Sequence, residues 1–195
     1  MTLSDGSLQT QAQSAQRGGH DIRRVVYNEA EIEQRVREMG REITEHFTGS
    51  EALADGSSLL VLGLLKGSFI FLADLVRRIN LPVQVDFLVA SSYGSGTVSS
   101  GDVKLVYDPK ASLEGRHVVI VEDIIDSGHT LRRLLPILTE GEPASLDVCT
   151  LLHKRLVTLE HEARWVGFDC PNEFLVGYGL DHAENFRHLP YIASM

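Results

Sequence analysis

Two rhythms of apolar and polar positions alternate along the chain. Ile32, Val36, Met39, Ile43 and Phe47 recur at helical spacing, which predicts an amphipathic first helix. Asn28 and Glu31 precede it with the spacing of a capping box, Asn standing where Ser or Thr is usual. Leu59 to Leu65 is an unbroken apolar run and predicts a buried strand, followed by a helix over Phe69 to Ile79. Pro82 then opens a strand in which Val83, Val85, Phe87 and Val89 alternate with Gln84 and Asp86, the pattern of an element half exposed to solvent. Val118 to Val121 predicts a second fully buried strand. Leu131, Leu134, Leu135 and Leu138 form one face of the next helix, which Pro136 should kink or shorten. Leu146 to Leu152 predicts a further strand. Strands alternating with helices imply an α/β domain with a mostly parallel twisted sheet flanked by helices.

Between these elements, Ser91 to Asp102 carries three glycines and five serines without periodicity and is expected to be a long mobile loop. Leu59 to Val76 is the one stretch that could be taken for a membrane span, but Lys66, Gly67, Ser68 and Asp74 interrupt it, so strand, turn and helix is the better reading. Residues 1–24, rich in Ser, Gln and Gly at the start, are expected to be a disordered leader. With 195 residues and 43% hydrophobic content, the remainder makes one domain with a sizeable core. A net charge of -9 argues against a protein whose main partner is a nucleic-acid backbone. Cys149 and Cys170 lack metal or redox spacing and suggest reduced thiols, hence a cytoplasmic address.

The chemistry concentrates in HVVIVEDIIDSGHT, His117 to Thr130. A buried strand runs into three acids within five positions, Glu122, Asp123 and Asp126, and then into a Ser127-Gly128 turn that opens a helix. Acids at the carboxyl end of a parallel strand stand in the crevice where such sheets bind ligands. Glu122 and Asp123 can offer oxygens to a sugar's hydroxyls or to a hard cation. The N–H groups from Asp126 to Thr130, Ser127, Gly128 and His129 among them, suit a phosphate monoester. Each feature alone is commonly a solvated loop or a helix cap. Together they ask for a cation, a diol and a phosphate.

This stretch resembles the phosphoribosyl pyrophosphate motif of the type I phosphoribosyltransferases, and within them the hypoxanthine and guanine enzymes. LLKGSFIFLADLVRRI (Leu64 to Ile79), DFLVASSYG (Asp86 to Gly94), LLHKR (Leu151 to Arg155) and WVGFDCPNEFLVGYGLDHAENFRHLPYI (Trp165 to Ile192) match in order. The resemblance implies the type I phosphoribosyltransferase fold, a core over about 25–164 and a small C-terminal hood over about 165–195. It implies transfer of 5-phosphoribosyl to N9 of hypoxanthine or guanine with Mg2+, and a homodimer or homotetramer. Asp126 would be the general base toward purine N7. Glu122 and Asp123 would hold the ribose directly or through magnesium, and Lys66, Gly67 and Arg187 would meet pyrophosphate, the Lys66-Gly67 peptide bond being often cis in the family. Lys154, having only donors, would face the purine 6-oxo group. Trp165 would stack on the base, although an isolated Trp is more often core. The backbone of Val166 would meet the Watson-Crick edge, and Ser92-Tyr93 would close as a lid that excludes water. Asn172 stands where many relatives have aspartate; an amide oxygen can join the metal and purine site but brings no charge.

Rival readings are a xanthine or pyrimidine phosphoribosyltransferase, and a phosphoribosyl pyrophosphate-sensing RNA-binding regulator of the same fold. The regulator should show a basic face, which the acidic total argues against. A receiver-like signalling domain draws its acids from separate strands rather than from one EDIID run.

Overall fold

The computed structural model describes residues 22–49, 53, 58–92, 103–107, 112–156 and 162–195. They fall into two compact units: one made of the described residues up to Glu33 together with Glu173–Met195, the other of Gln34–Asn172.

The larger unit is built on a six-stranded sheet. Its strands are β2 (Leu59–Leu65), β3 (Val83–Ser92), β4 (Val103–Tyr107), β5 (His117–Ile125), β6 (Ser145–His153) and β7 (Trp165–Asp169), in the spatial order β4-β3-β2-β5-β6-β7. The pairs β3-β2, β2-β5, β5-β6 and β6-β7 are parallel, and β4 adds an antiparallel edge. After β2 the chain moves outward to β3, and it later returns to place β5 on the other flank of β2. The order of strands therefore reverses between β2 and β5, the position where open α/β sheets leave a crevice outside the carboxyl ends.

Among the described residues three helical elements accompany the strands: α1 (Glu29–Phe47), α2 (Phe69–Val76) and α3 (His129–Thr139). The capping box closes α1 in both directions, with Glu31 N–H donating to Asn28 Oδ1 at 3.0 Å and Asn28 N–H donating to Glu31 Oε2 at 2.8 Å. Val36, Met39, Ile43 and Phe47 are buried, as their spacing requires. Helix α2 is three residues shorter than the apolar pattern suggests. Helix α3 runs on through Pro136 to Thr139: the proline removes one N–H donor, but Leu131, Leu134, Leu135 and Leu138 all stay buried against Leu60, Leu62, Val118 and Ile120. Burial of that face outweighs one lost hydrogen bond.

In β3 the apolar Val85 and Phe87 are exposed together with Gln84, while Leu88 between the apolar positions joins the core with Leu60 and Leu62. Both faces of this strand carry apolar groups, so alternation alone does not tell which one is inside. Strand β3 also extends through Ser91 and Ser92, which pair with Lys104 and Val103. Ser92 thus ends a strand, and Tyr93, like the rest of 93–102, lies outside the described residues.

The smaller unit is a three-stranded antiparallel sheet, β1 (Arg24–Tyr27), β9 (Ile192–Ser194) and β8 (Leu175–Val176) in that order. Val176, Phe186, Leu189, Tyr191 and Ala193 form its core, with Ile22 packed against them. Residues 22–24, counted with the expected leader, belong to this unit: Arg23 N–H donates to Ser194 O at 2.9 Å, and Arg24 opens β1. The expected hood begins later than residue 165, because Trp165–Asp169 is the edge strand of the large sheet. Among the described residues no helix is long and apolar enough to cross a membrane, and Leu59 to Val76 is strand, turn and helix. Cys149 and Cys170 are both buried free thiols.

Candidate active site

Strand β5 is flanked on both sides by parallel strands, so its apolar residues are sealed and its polar end emerges in the crevice. A cleft of ≈ 80 Å³ opens there, lined by Glu122, Ile124 to Thr130 and Leu131. The cap of α3 is Gly128 in the left-handed region (φ 70), and no side chain caps the helix. Asp126 and Ser127 are therefore not spent on capping, and the first N–H groups of α3 point their partial positive charge toward the cleft. A ligand phosphate fits that polarity.

Glu122 is buried, and its Oε2 has no hydrogen-bond partner among the described residues. Burial, and then the neighbouring Asp123, push its carboxyl well above the usual carboxylate range. Asp123 accepts the Ile124 N–H at 2.9 Å through Oδ1. Its other oxygen faces the turn after β2: a Cβ placed on Gly67 would lie 1.6 Å from Asp123 Oδ2. Only a residue without a side chain lets that turn approach the acid so closely. The structure thus brings the Lys66-Gly67 turn up against the Glu122-Asp123 pair. The cis peptide bond of this turn is Leu65-Lys66, which precedes the lysine, so the expected Lys66-Gly67 position is corrected by one residue. Ser68, fully buried, ties the turn down by donating to Leu64 O at 2.6 Å.

On the neighbouring strand, Lys154 follows the last residue of β6, and its N–H donates to Ile125 O at 3.0 Å. Its Nζ meets Asp126 Oδ2 at 2.8 Å; the Lys154 side chain is 10% exposed and that of Asp126 54%. Two residues expected to handle the same base are thus in direct contact.

Other expectations are corrected. Trp165 is 5% exposed, starts β7 and packs against His46 and Phe47 near the end of α1, with ring centroids 5.4 and 6.0 Å away. Parallel strands carry their ligands at the carboxyl end, and Trp165 is at the other end, so its faces are core. The Val166 carbonyl accepts from Arg35 at 2.9 Å and the Gly167 carbonyl at 3.0 Å, which commits this edge of β7 to α1. Asn172 is exposed. The exposed aromatic that follows is Phe174, 52% exposed and edge-on to His182 at 5.4 Å in the smaller unit. It lies in the matched CPNEFLVGY segment, where the signal that could have singled it out was its position before the buried pair Leu175-Val176. In the same unit Arg187 holds Gly179 O at 2.8 Å, Asp181 at 2.8 Å and Glu184 at 3.3 Å, and its buried Nε finds no partner among the described residues.

No group of three or more His, Cys, Asp or Glu side chains that could hold a metal ion forms among the described residues. Glu122 and Asp123 nevertheless suit a hard divalent cation: two adjacent carboxyl groups, one with a buried oxygen lacking a partner, are donors such an ion takes.

The chain matches the family model described as phosphoribosyl transferase domain over residues 25–183. Hypoxanthine phosphoribosyltransferase of Salmonella typhimurium is 49% identical over 174 residues, covering 88% of this chain and 94% of that protein. The Haemophilus influenzae enzyme of the same name is 45% identical over 172 residues, again covering 88% and 94%. Among solved structures, a hypoxanthine-guanine phosphoribosyltransferase from Bacillus anthracis aligns with a TM-score of 0.79 at 42% identity, covering 90% of this chain and 99% of that one. A ternary substrates complex of Trypanosoma cruzi hypoxanthine phosphoribosyltransferase aligns with a TM-score of 0.82 at 37% identity, covering 89% and 95%.

Proposed function

From its membership of the phosphoribosyl transferase family, to which this chain belongs, we infer how the β5 cleft performs purine salvage. The chain is a transferase that moves 5-phosphoribosyl from phosphoribosyl pyrophosphate to N9 of hypoxanthine or guanine, giving the nucleotide and pyrophosphate. The observation that supports the residue assignments best is the convergence of Lys66-Gly67, Glu122-Asp123 and the uncapped start of α3 at the one strand crossover.

The 5′-phosphate sits on the N–H groups of the Asp126 to Thr130 segment, where the dipole of α3 favours an anion. The ribose hydroxyls are held by Glu122 and Asp123, and the pyrophosphate lies along the Lys66-Gly67 turn. Mg2+, when bound to Glu122 and Asp123, neutralises charge on the donor and its leaving group. Asn172, exposed and neutral, is a weaker supplementary ligand.

Asp126 accepts the proton from the purine, and Lys154 recognises the 6-oxo group by donating to it, which disfavours a 6-amino purine. Holding the anomeric carbon and the ring nitrogen together in one desolvated cleft supplies much of the acceleration. The enzyme works as a cytoplasmic homo-oligomer. Purified protein given Mg2+, phosphoribosyl pyrophosphate and hypoxanthine is expected to form inosine monophosphate; conversion of a pyrimidine alone, or of no base, would overturn the assignment.

A further inference from the structure

His153 is the last residue of β6 and is fully buried, between Ile125 of β5 and Asp169 of β7. Its Nδ1 accepts the N–H of Arg155, two residues on, at 2.9 Å. That contact settles the tautomer: the ring hydrogen is on Nε2. Among the described residues Nε2 then finds no partner. A buried N–H without an acceptor is costly, and an apolar side chain of similar size would avoid the cost. The compensating feature is what Nδ1 does.

Arg155 adopts a left-handed backbone (φ 54), unusual for a residue with a side chain. Its N–H is held by His153, and its guanidinium reaches Asp169 Oδ1 at 2.7 Å and Glu162 at 3.5 Å. Lys154 is the single residue between the imidazole and this turn. Its own N–H is fixed to Ile125 O at 3.0 Å, and its ammonium arrives 2.8 Å from Asp126. The lysine backbone is thus fastened on one side to β5 and on the other, through Arg155, to His153.

We propose that His153 is a positioning residue for Lys154: by accepting the Arg155 N–H it fixes the turn that aims the lysine at Asp126 and at the 6-oxo group of the incoming purine. The inference rests on the assignment of Lys154 above. Only the neutral imidazole can accept at Nδ1, and burial first, with Arg155 second, holds this ring below its ordinary pKa despite Glu162 and Asp169 nearby. His153 touches no substrate. It acts through the backbone of its neighbours, so losing it should affect binding of the base and spare phosphoribosyl pyrophosphate.

Two variants and one measurement on the unaltered protein test this. In His153→Leu the acceptor is gone, and the KM for hypoxanthine is expected to rise about tenfold, as for one lost hydrogen bond. The KM for phosphoribosyl pyrophosphate should stay within about twofold. His153→Asn keeps an acceptor able to reach the N–H two residues on, and should restore the hypoxanthine KM to within about twofold of the unaltered protein. In the unaltered protein the Arg155 amide should be protected from hydrogen exchange. If it exchanges freely, the proposal is wrong even should the leucine variant fail to fold. Equal behaviour of the leucine and asparagine variants, or a parallel rise in both KM values, would also overturn it. Lys154→Ala separates this from the wider reading: an unchanged hypoxanthine KM there sinks the lysine assignment itself, whereas a raised one beside an unaffected His153→Leu sinks only the role of His153.

Discussion

Lys154 Nζ sits 2.8 Å from Asp126 Oδ2, joining the ends of two adjacent parallel strands across the mouth of the β5 cleft. The carboxylate is more than half exposed and the ammonium largely covered. The pair is open to water on the acid's side, so its strength as an ion pair is modest. Under the proposed function its meaning is orientation, since a base entering there would insert its own donor and acceptor between these two groups.

Asp126→Asn removes the proton acceptor while keeping the shape. Turnover should fall by roughly 10²–10⁴-fold, the usual contribution of a positioned base. Dissociation constants for both substrates, measured by calorimetry, should change little. A variant that turns over at the original rate would remove Asp126 from the chemistry.

The raised pKa of Glu122 makes stability depend on pH. Its folded carboxyl keeps its proton to higher pH than the unfolded one, because burial and then Asp123 oppose its charge. The contribution is fully present below the ordinary carboxylate range and is lost as pH rises through the folded value. Melting temperatures taken across that range without divalent cation should therefore decline toward high pH, and Glu122→Gln should flatten the decline. Adding Mg2+ with phosphoribosyl pyrophosphate should raise the melting temperature most at the high-pH end. The same slope in the glutamine variant would refute this account.

Trp165, being core, reports on folding rather than on the base. Trp165→Ala should lower stability by roughly 3–5 kcal/mol, the range for emptying a large buried aromatic site. It is the only tryptophan in the chain, so its fluorescence can be followed without interference. Titration with hypoxanthine should leave that emission unchanged; strong quenching would return Trp165 to the binding site.

Gly67→Ala places a methyl where Asp123 Oδ2 now lies. Either the turn or the acid must move, so affinity for phosphoribosyl pyrophosphate should drop with little change in the hypoxanthine KM at saturating donor. Crystals of the variant showing both groups undisplaced would contradict the close approach.

Much of this was legible in order of residues. The capping box of α1, the buried run of β5 and the acids following it are local signals, each set by neighbours a few positions apart. For Trp165 the resemblance marks the right segment without saying which end of its strand meets the ligand. Only pairing resolves this: Trp165 lies opposite Cys149 and Asp169 opposite His153, so the tryptophan begins the strand and the aspartate ends it. Likewise, β3 has apolar groups on both faces, and only α3 packing on one side decides that Leu88 is inside.

The amino-acid order alone determined the sequence of strands and helices, the acids at the tip of β5 and the glycine-bearing turns, since backbone preference and hydrophobic period act over short range. Which of those pieces would touch was decided by the tertiary structure. The strand crossover puts Gly67 against Asp123, the adjacency of β5 and β6 puts Lys154 against Asp126, and the end of β6 buries His153 beneath the lysine. These contacts span distances along the chain that no local preference encodes; they follow from burying one sheet between helices and from the strand order that burial selects.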